Sequence, residues 1–320
     1  MNNFEYANPA SLKEALALLG NSFGDAAVLA GGTDLLSMMK EYLVTPKRVV
    51  NVKGIKELSG ISKTGVGIRI GAAATIEDVL ESSLIRAEYP SLTAAARGIT
   101  SPQIRNMGTV GGDLCQRPRC WYFRNGYGLL GMKDGKSLVE GGENKYHAIF
   151  SKGPAKFVSA SSFGPALCAL DAKIKIASAS GTREVDADNF FVAPANADAR
   201  ETVLLPNEIV TEILVPSIKG AKNATYEVRQ KEALDWPLVT ASVLLGAHAH
   251  IMLGHVAPTP HFAEAASKLI SGKTMTAELA EAAGQAAVEG ASPLSQNAYK
   301  VHLTKVAVKR ALMEAAGLKA

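Results

Sequence analysis

Between Ala172 and Pro216 the sequence reads as strand-like segments in succession, with no helix expected between them. The stretch "AKIKIASASGTREVDADNFF" (172–191) alternates apolar and polar residues, breaks at Ser180-Gly181 and alternates again; "EIVTEILVP" (208–216) reads as a further strand. Strands in direct succession point to an antiparallel sheet. The first fifty residues read differently. Ser11 and Glu14 form a capping-box pattern ahead of Leu12, Ala15, Leu16 and Leu19 at helical spacing. A short apolar strand (Ala26 to Ala30), a Gly-Gly turn, a helix through Met38 and Met39 and a buried strand "RVVNV" (48–52) follow, a small α/β unit. A chain of 320 residues can hold both patterns and a third domain.

The middle and end of the chain fill in around these. "GIRIGAAAT" (67–75) alternates like a strand, Thr75 with Asp78 opens a helix through Val79, Leu80 and Leu84, and a small-residue helix, "SLTAAARG" (91–98), comes next. Residues 117–165 are rich in glycine, aromatic and basic residues without a clear period, which marks a functional or surface excursion. The Pro-, Gly- and Lys-containing break "PSIKGAKNAT" (216–225) is the candidate domain boundary. Beyond it "TYEVRQ" and "LVTASVLLGAHAHIML" read as strands, with helices near 262–271, 276–289 and 297–315.

Two glycine pairs stand out. "AGGTDLL" (30–36) follows a strand and precedes a helix; "GTVGGDLCQ" (108–116) repeats the Thr, Gly-Gly, Asp and Leu set. Glycine has no Cβ, so its backbone takes positive φ and approaches a ligand closely. Successive N–H groups in such a turn form an anion-binding concavity. Two of them suit the two phosphates of a dinucleotide; the plain alternative is a pair of tight turns. Neither G-x-G-x-x-G nor the phosphate-loop signature G-x-x-x-x-G-K-[ST] occurs.

Other features exclude more than they assign. A formal net charge of +4 is too small at this length to argue for nucleic acid. Three cysteines, Cys115, Cys120 and Cys168, make no disulfide framework and suit a reducing compartment. The N-terminus "MNNFEYANPA" lacks signal-peptide character, and no apolar run approaches the ~20 residues needed to span a bilayer. A soluble, cytoplasmic protein is expected. His248 and His250 read as sharing a strand face, with His255 and His261 following, and as sheet histidines rather than a metal site. Lys300, Lys305, Lys309 and Arg310 read as a solvated helix face, with partner docking second. Trp121, Tyr122 and Phe123 read as a packed anchor for the excursion.

The ordered set "AGGTDLL", "TVGGDLCQRPRCWYFR", "ENKYHAIF", "LLPNEIVTEI", "VRQKEALDWPLV", "HVAPTP" and "NAYKVHLTKVAVKRAL" resembles the FAD-binding medium subunit of molybdenum hydroxylases, the xanthine dehydrogenase and carbon monoxide dehydrogenase family, over nearly the whole chain. The resemblance implies an α+β protein. It implies a two-subdomain FAD-binding fold of the vanillyl-alcohol oxidase type plus a C-terminal α+β domain with a small antiparallel sheet and helices. The divisions are 1–54, an N-terminal α/β FAD subdomain; 55–220, a central FAD subdomain with an antiparallel sheet; and 221–320, the C-terminal domain. It implies FAD between the first two, its pyrophosphate held by backbone amides of both glycine segments. The matching positions are Val28, Leu29, Ala30, Gly31, Gly32, Thr33, Asp34 and Leu35 in the first segment and Thr109, Gly111, Gly112 and Asp113 in the second, with Gln116 toward the adenine end.

Asp113 stands where the family often has Asn. Because phosphate would repel a carboxylate, it is assigned to a ribose hydroxyl or to its own loop. Some relatives carry a [4Fe-4S] cluster in the excursion; here Cys120 alone matches its four thiolates, so no cluster is expected, and the three cysteines read as small buried hydrophobes. In "VSASSF" (158–163) Ser162 falls at an Asp position of the cluster-bearing relatives, which puts an FAD contact there in doubt. The implied function is an oxidoreductase subunit for electron transfer. It takes electrons from a molybdenum-cofactor large subunit through a [2Fe-2S] small subunit to FAD and on to an external acceptor. The alternative is a free-standing FAD-dependent oxidoreductase with its own substrate pocket. No catalytic acid or base and no metal ligand is named.

Overall fold

The computed structural model describes residues 1–99, 101–231 and 235–319. The N-terminal unit comprises β1 (Glu5–Ala7), α1 (Leu12–Ala17), β2 (Ala26–Leu29), α2 (Leu35–Lys40) and β3 (Arg48–Asn51). Its strands are parallel in the order β1-β3-β2. The edge strand β1 is an addition to the sequence reading: with three residues and Tyr6 exposed, it has too little alternation to announce itself. The Ser11 hydroxyl caps α1 by accepting from Glu14 N (3.3 Å), whereas the Glu14 carboxylate reaches Ala10 N (2.9 Å), one residue beyond the capping-box partner.

The central unit starts with β4 (Ile61–Thr64), β5 (Gly67–Gly71), α3 (Ile76–Glu81), α4 (Ser83–Glu88), α5 (Pro90–Gly98), α6 (Pro102–Met107) and α7 (Val110–Cys115). The Thr75 hydroxyl and Asp78 carboxylate close a full capping box on α3. Ser82, at φ −64 and ψ 114, ends that helix and caps α4 through Ile85 N (3.4 Å). Pro90 and Pro102 sit in the first turns of α5 and α6, where a missing N–H costs nothing. The excursion then holds α8 (Trp121–Arg124) and a small hairpin of β6 (Met132–Lys133) and β7 (Lys136–Ser137). The chain returns through α9 (Phe163–Ala169), β8 (Lys173–Ser178), β9 (Gly181–Asp186), α10 (Ala187–Phe190) and β10 (Ile209–Pro216). The resulting sheet is antiparallel, β4-β5-β10-β8-β9. Tyr89, Leu92, Phe163, Ile174 and Ile213 are buried between it and its helices.

The C-terminal unit has an antiparallel sheet of β11 (Lys222–Val228), β12 (Val239–Leu245), β13 (His250–Gly254) and β14 (His261–Phe262), followed by α11 (Glu264–Ile270), α12 (Ala277–Ala286) and α13 (Tyr299–Ala316). Its middle strands are buried on both faces. Leu244 and Met252 join the central core, while Val243, Ile251 and Leu253 meet Ala283, Val308 and Leu312 of the helices. This explains why the sequence shows a continuous apolar run there instead of alternation. Asn223 locks the junction, accepting from Ser91 N (2.8 Å) and donating to Glu88 O (3.0 Å). Among the described residues no helix is long and apolar enough to cross a membrane.

Two surface readings change. Lys300 is not on a solvated face: it is buried, and its ammonium donates to Tyr146 O (2.9 Å) and His255 O (2.8 Å). Burial pulls its pKa down to about 7. The residue leaves the basic stripe because the excursion supplies the Tyr146 carbonyl and the turn after β13 supplies that of His255. His248 lies off the strand in an exposed turn, so it shares no strand face with His250. The other histidines are each engaged separately: His250 with Asp171 (3.1 Å), His255 with the Thr240 hydroxyl (3.0 Å), His261 stacked on Phe150 at 4.0 Å.

Candidate functional site

A cleft of about 600 Å3 opens between the N-terminal and central units, with Asp235, Trp236 and Pro237 of the C-terminal unit at its edge. Both glycine segments line it, but they are built differently. In the first, β2 runs into Ala30 and Gly32 adopts φ +71, the left-handed conformation that glycine takes without strain. Among the described residues, the N–H groups of Gly31, Gly32, Thr33 and Asp34 donate to no protein acceptor. Four consecutive free amides around a left-handed residue make an anion nest.

The second segment is not a turn. Its glycines form the first turn of α7, and α6 stands between it and the small-residue helix α5. From Val110 to Asp113 every amide is used: Val110 N donates to Ala74 O (2.9 Å), Gly111 N to Ala72 O (2.9 Å), Gly112 N to the Thr109 hydroxyl (3.1 Å) and Asp113 N to Thr109 O (2.9 Å). Thr109 is thus an N-cap of the ordinary kind.

The glycines also differ in what a side chain would meet. A Cβ at Gly31 would lie 2.0 Å from Met107 O and one at Gly111 2.8 Å from the Ala72 Cβ, so both allow backbone to pack on backbone. Gly31 is what brings the first segment against the end of α6 and so beside the second. At Gly112 the single neighbour is its own cap hydroxyl, at 3.0 Å.

Each segment carries an aspartate, and each aspartate fastens a distant loop. Asp34 accepts from Arg117 N (2.8 Å), Arg119 Nη1 (2.7 Å) and Arg124 Nη2 (2.8 Å), anchoring the start of the excursion. Arg117 also pairs with Glu201, and burial lowers its pKa to about 10. Asp113 is buried. It accepts from the Ser161 hydroxyl (2.5 Å), Ser162 N (3.2 Å), Phe163 N (3.0 Å) and Gln116 Nε2 (2.8 Å). Burial raises its pKa against those hydrogen bonds, which favour the carboxylate.

A profile of the FAD binding domain in molybdopterin dehydrogenases matches residues 2–218, and one of the carbon monoxide dehydrogenase flavoprotein C-terminal domain matches 224–315. The chain belongs to this FAD-binding family. The carbon monoxide dehydrogenase medium chain of Hydrogenophaga pseudoflava is 32% identical over 319 residues, covering 97% of this chain and 96% of the relative. An aldehyde oxidoreductase FAD-binding subunit of Escherichia coli is 29% identical, with 98% and 99% covered. The solved carbon monoxide dehydrogenase from Hydrogenophaga pseudoflava superposes with a TM-score of 0.76 at 32% identity, covering 99% of this chain and 98% of that one. The family expected from the ordered motifs, the α+β architecture and FAD as cofactor are therefore those found.

The flavoprotein's cleft gathers most of the residues named from the sequence. Val28, Ala30, Gly31, Gly32, Thr33, Asp34 and Leu35 line it, as do Thr109, Gly111, Gly112, Asp113 and Gln116. Leu29 does not: it is the last ladder residue of β2, and its carbonyl accepts from Val52 N (2.8 Å). Asp113 does not bond only within its own loop: Gln116 is local, but its other partners are Ser161, Ser162 and Phe163, brought to it from a distant loop by the fold. Ser162, doubted as a contact, is in the lining.

Sequence reasoning missed Phe23, Ser101, Arg119, Arg200 and Trp236, which also face the cleft. Arg119 and Trp236 were within quoted motifs, and their chemistry was the available signal. Part of the "VRQKEALDWPLV" motif, residues 232–234, lies outside the described residues.

The cysteines are dispersed. Cys168 is buried in the central core, and burial pushes the Cys115 thiol up to about 12. Cys120 Sγ lies 3.1 Å from His147 Nε2. His147 in turn packs on Trp121 at 5.5 Å, and burial lowers its pKa to about 4, so it is neutral. Phe123 is packed with Met38, Leu129, Leu130 and Phe157, which fixes the excursion to α2.

Proposed function

We propose that this chain holds FAD in the cleft and acts as the electron-transfer subunit of a molybdenum-containing hydroxylase or dehydrogenase complex. In this reading a [2Fe-2S] small subunit delivers electrons from a molybdenum-cofactor large subunit, and an external acceptor takes them away. The observation that carries the reading is the run of four free amides from Gly31 to Asp34 facing a cleft of about 600 Å3. A diphosphate satisfies such donors without any lysine.

When bound, FAD supplies the redox chemistry. The chain's own groups bind and orient it. The amides of Gly31, Gly32, Thr33 and Asp34 would hold the pyrophosphate. Asp34 adds little repulsion there, because its carboxylate already faces Arg119 and Arg124. Ala26, Val28, Met38 and Leu205 give the cleft an apolar wall that limits water. Asp113 holds the 161–163 loop, which puts Ser162 in the lining. The link is non-covalent: neither glycine segment offers a reactive nucleophile, and the nearby Cys115 stays a thiol.

Purified chain should bind one FAD that acid precipitation releases. It should oxidise no aldehyde or purine by itself, and it should form a stable complex when co-expressed with molybdenum and [2Fe-2S] subunits. In that complex substrate should bleach the flavin, and omitting the molybdenum subunit should stop the bleaching. Turnover by the chain alone at ordinary enzyme rates, about 10 s−1, would replace this reading with the free-standing oxidoreductase.

A further inference from the structure

The two glycine-segment aspartates are joined by a chain of hydrogen bonds around the cleft. Gln116 donates to Asp113 (2.8 Å), Arg119 Nη2 donates to Gln116 Oε1 (3.0 Å), and Arg119 Nη1 meets Asp34 Oδ1 (2.7 Å). The same Arg119 guanidinium lies 4.7 Å from the centre of the Trp236 ring. It therefore touches a residue from each of the three units: Asp34 in the N-terminal one, Gln116 in the central one and Trp236 in the C-terminal one. Trp236 is 44% exposed, carried by the segment that enters β12, and lines the cleft edge. A guanidinium over the face of an indole this exposed favours that ring orientation through the ring quadrupole.

We propose that Arg119 is a positioning residue for the flavin site: it seats Trp236 as a cap on the cleft, and it does so only when both glycine segments are in place. The guanidinium suits this task because its planar fork bonds in its own plane while its face stays free to stack. An ammonium could neutralise Asp34 but could not bond Gln116 and lie flat on the indole as well. Seating the cap is thereby tied to the loops that bind the cofactor, so the C-terminal unit contributes to retention of FAD although its sheet lies outside the cleft.

This rests on the reading of the cleft as the FAD site, and the test separates the two. FAD affinity is measured for the full chain, for Arg119→Ala, for Trp236→Ala and for the double variant. Each single change should weaken FAD binding about tenfold, and the double change no more than either alone, as expected for partners in one cation–π contact. The near-ultraviolet circular dichroism contributed by Trp236, obtained by subtracting Trp236→Phe, should collapse in Arg119→Ala, and Arg119→Lys should restore neither signal. Additive losses, an unchanged Trp236 signal, or rescue by lysine would each overturn the proposal while leaving the FAD site standing. Failure of the unaltered chain to bind FAD would instead remove the site reading and the proposal with it. Should Arg119→Ala not fold, Arg119→Gln completes the same cycle, and Trp236→Ala at an exposed position decides whether the cap retains FAD at all.

Discussion

The two Gly-Gly segments look like copies in the sequence and are opposites in the structure. In Gly31–Asp34 the backbone leaves its amides free and one glycine is left-handed. From Val110 to Asp113 the backbone is helical, capped by the Thr109 hydroxyl and stitched to Ala72 and Ala74, with all four amides engaged. The same residue types thus make an open nest in one place and a closed helix start in the other. What separates them is the neighbour: β2 has no strand partner beyond Leu29 to take up the next amides, whereas the second segment lies against the carbonyls that follow β5. A motif is a set of permitted conformations, and packing selects among them.

The contrast is most strongly tested at the glycines of the first segment. Gly32→Val forces a β-branched residue to φ +71, and Gly31→Val drives a side chain into Met107 O. Each should weaken FAD binding by about a hundredfold or more, the equivalent of roughly 3 kcal/mol. Equilibrium dialysis with FAD reads this directly. A yellow, fully loaded Gly32→Val protein would mean that the first segment is no nest.

The aspartates should come next. Asp34→Ala leaves Arg117, Arg119 and Arg124 short of a largely buried partner, and unfolding in urea should show a loss of about 3 kcal/mol. Asp113→Asn keeps one acceptor but turns two donors toward Ser161 and the 162–163 amides; about 1–2 kcal/mol should be lost. Equal losses would erase the distinction between an ionic clamp in one segment and a hydrogen-bonded one in the other.

The pH dependence of stability sharpens the same pair. Burial raises the Asp113 pKa above its ordinary 3.8, so the folded chain holds that proton more tightly than the unfolded chain does. The group's contribution therefore becomes more stabilising as pH falls from above its folded pKa toward 3.8. The stability difference between the unaltered protein and Asp113→Asn should widen in that direction in urea titrations at stepped pH. A flat difference would show that the hydrogen bonds from Ser161, Ser162 and Phe163 cancel the burial.

Gly112→Ala should do least. Its new methyl meets one hydroxyl at 3.0 Å, and alanine favours the helix, so stability should shift by no more than about 0.5 kcal/mol. FAD binding should stay within about threefold. If this small change cost as much affinity as Gly32→Val, the second segment would hold the cofactor as closely as the first.

Much of the architecture was legible because it depends on local rules. The capping residues Thr75 and Asp78, the hairpin at Ser180-Gly181 and the apolar runs of β3 and β10 act over a few residues, and their signals are in the chain. The three-residue β1 was not legible, being too short to alternate, and neither was α6, whose six residues bury no side chain and so show no apolar stripe. In the cleft, the glycine segments themselves were readable. The residues reaching them from afar, Phe23, Arg119, Arg200 and Trp236, were not, since no spacing rule connects them. Lys300 was misread for the same reason: helical position marks a face, but the acceptors that bury its ammonium come from Tyr146 and His255.

By itself the sequence determined where most of the strands and helices form, where the two glycine segments lie and, through the ordered motifs, the family and its cofactor. These are properties of short segments, decided by backbone sterics, capping and the alternation of apolar side chains. Only the tertiary structure decided which glycine segment keeps its amides free, which loops Asp34 and Asp113 fasten, and that a single guanidinium meets all three units. Those outcomes turn on hydrogen-bond partners many residues away, Arg119 from Asp34 and Phe163 from Asp113 among them, and a donor's fate is settled by whichever acceptor the fold brings within about 3 Å.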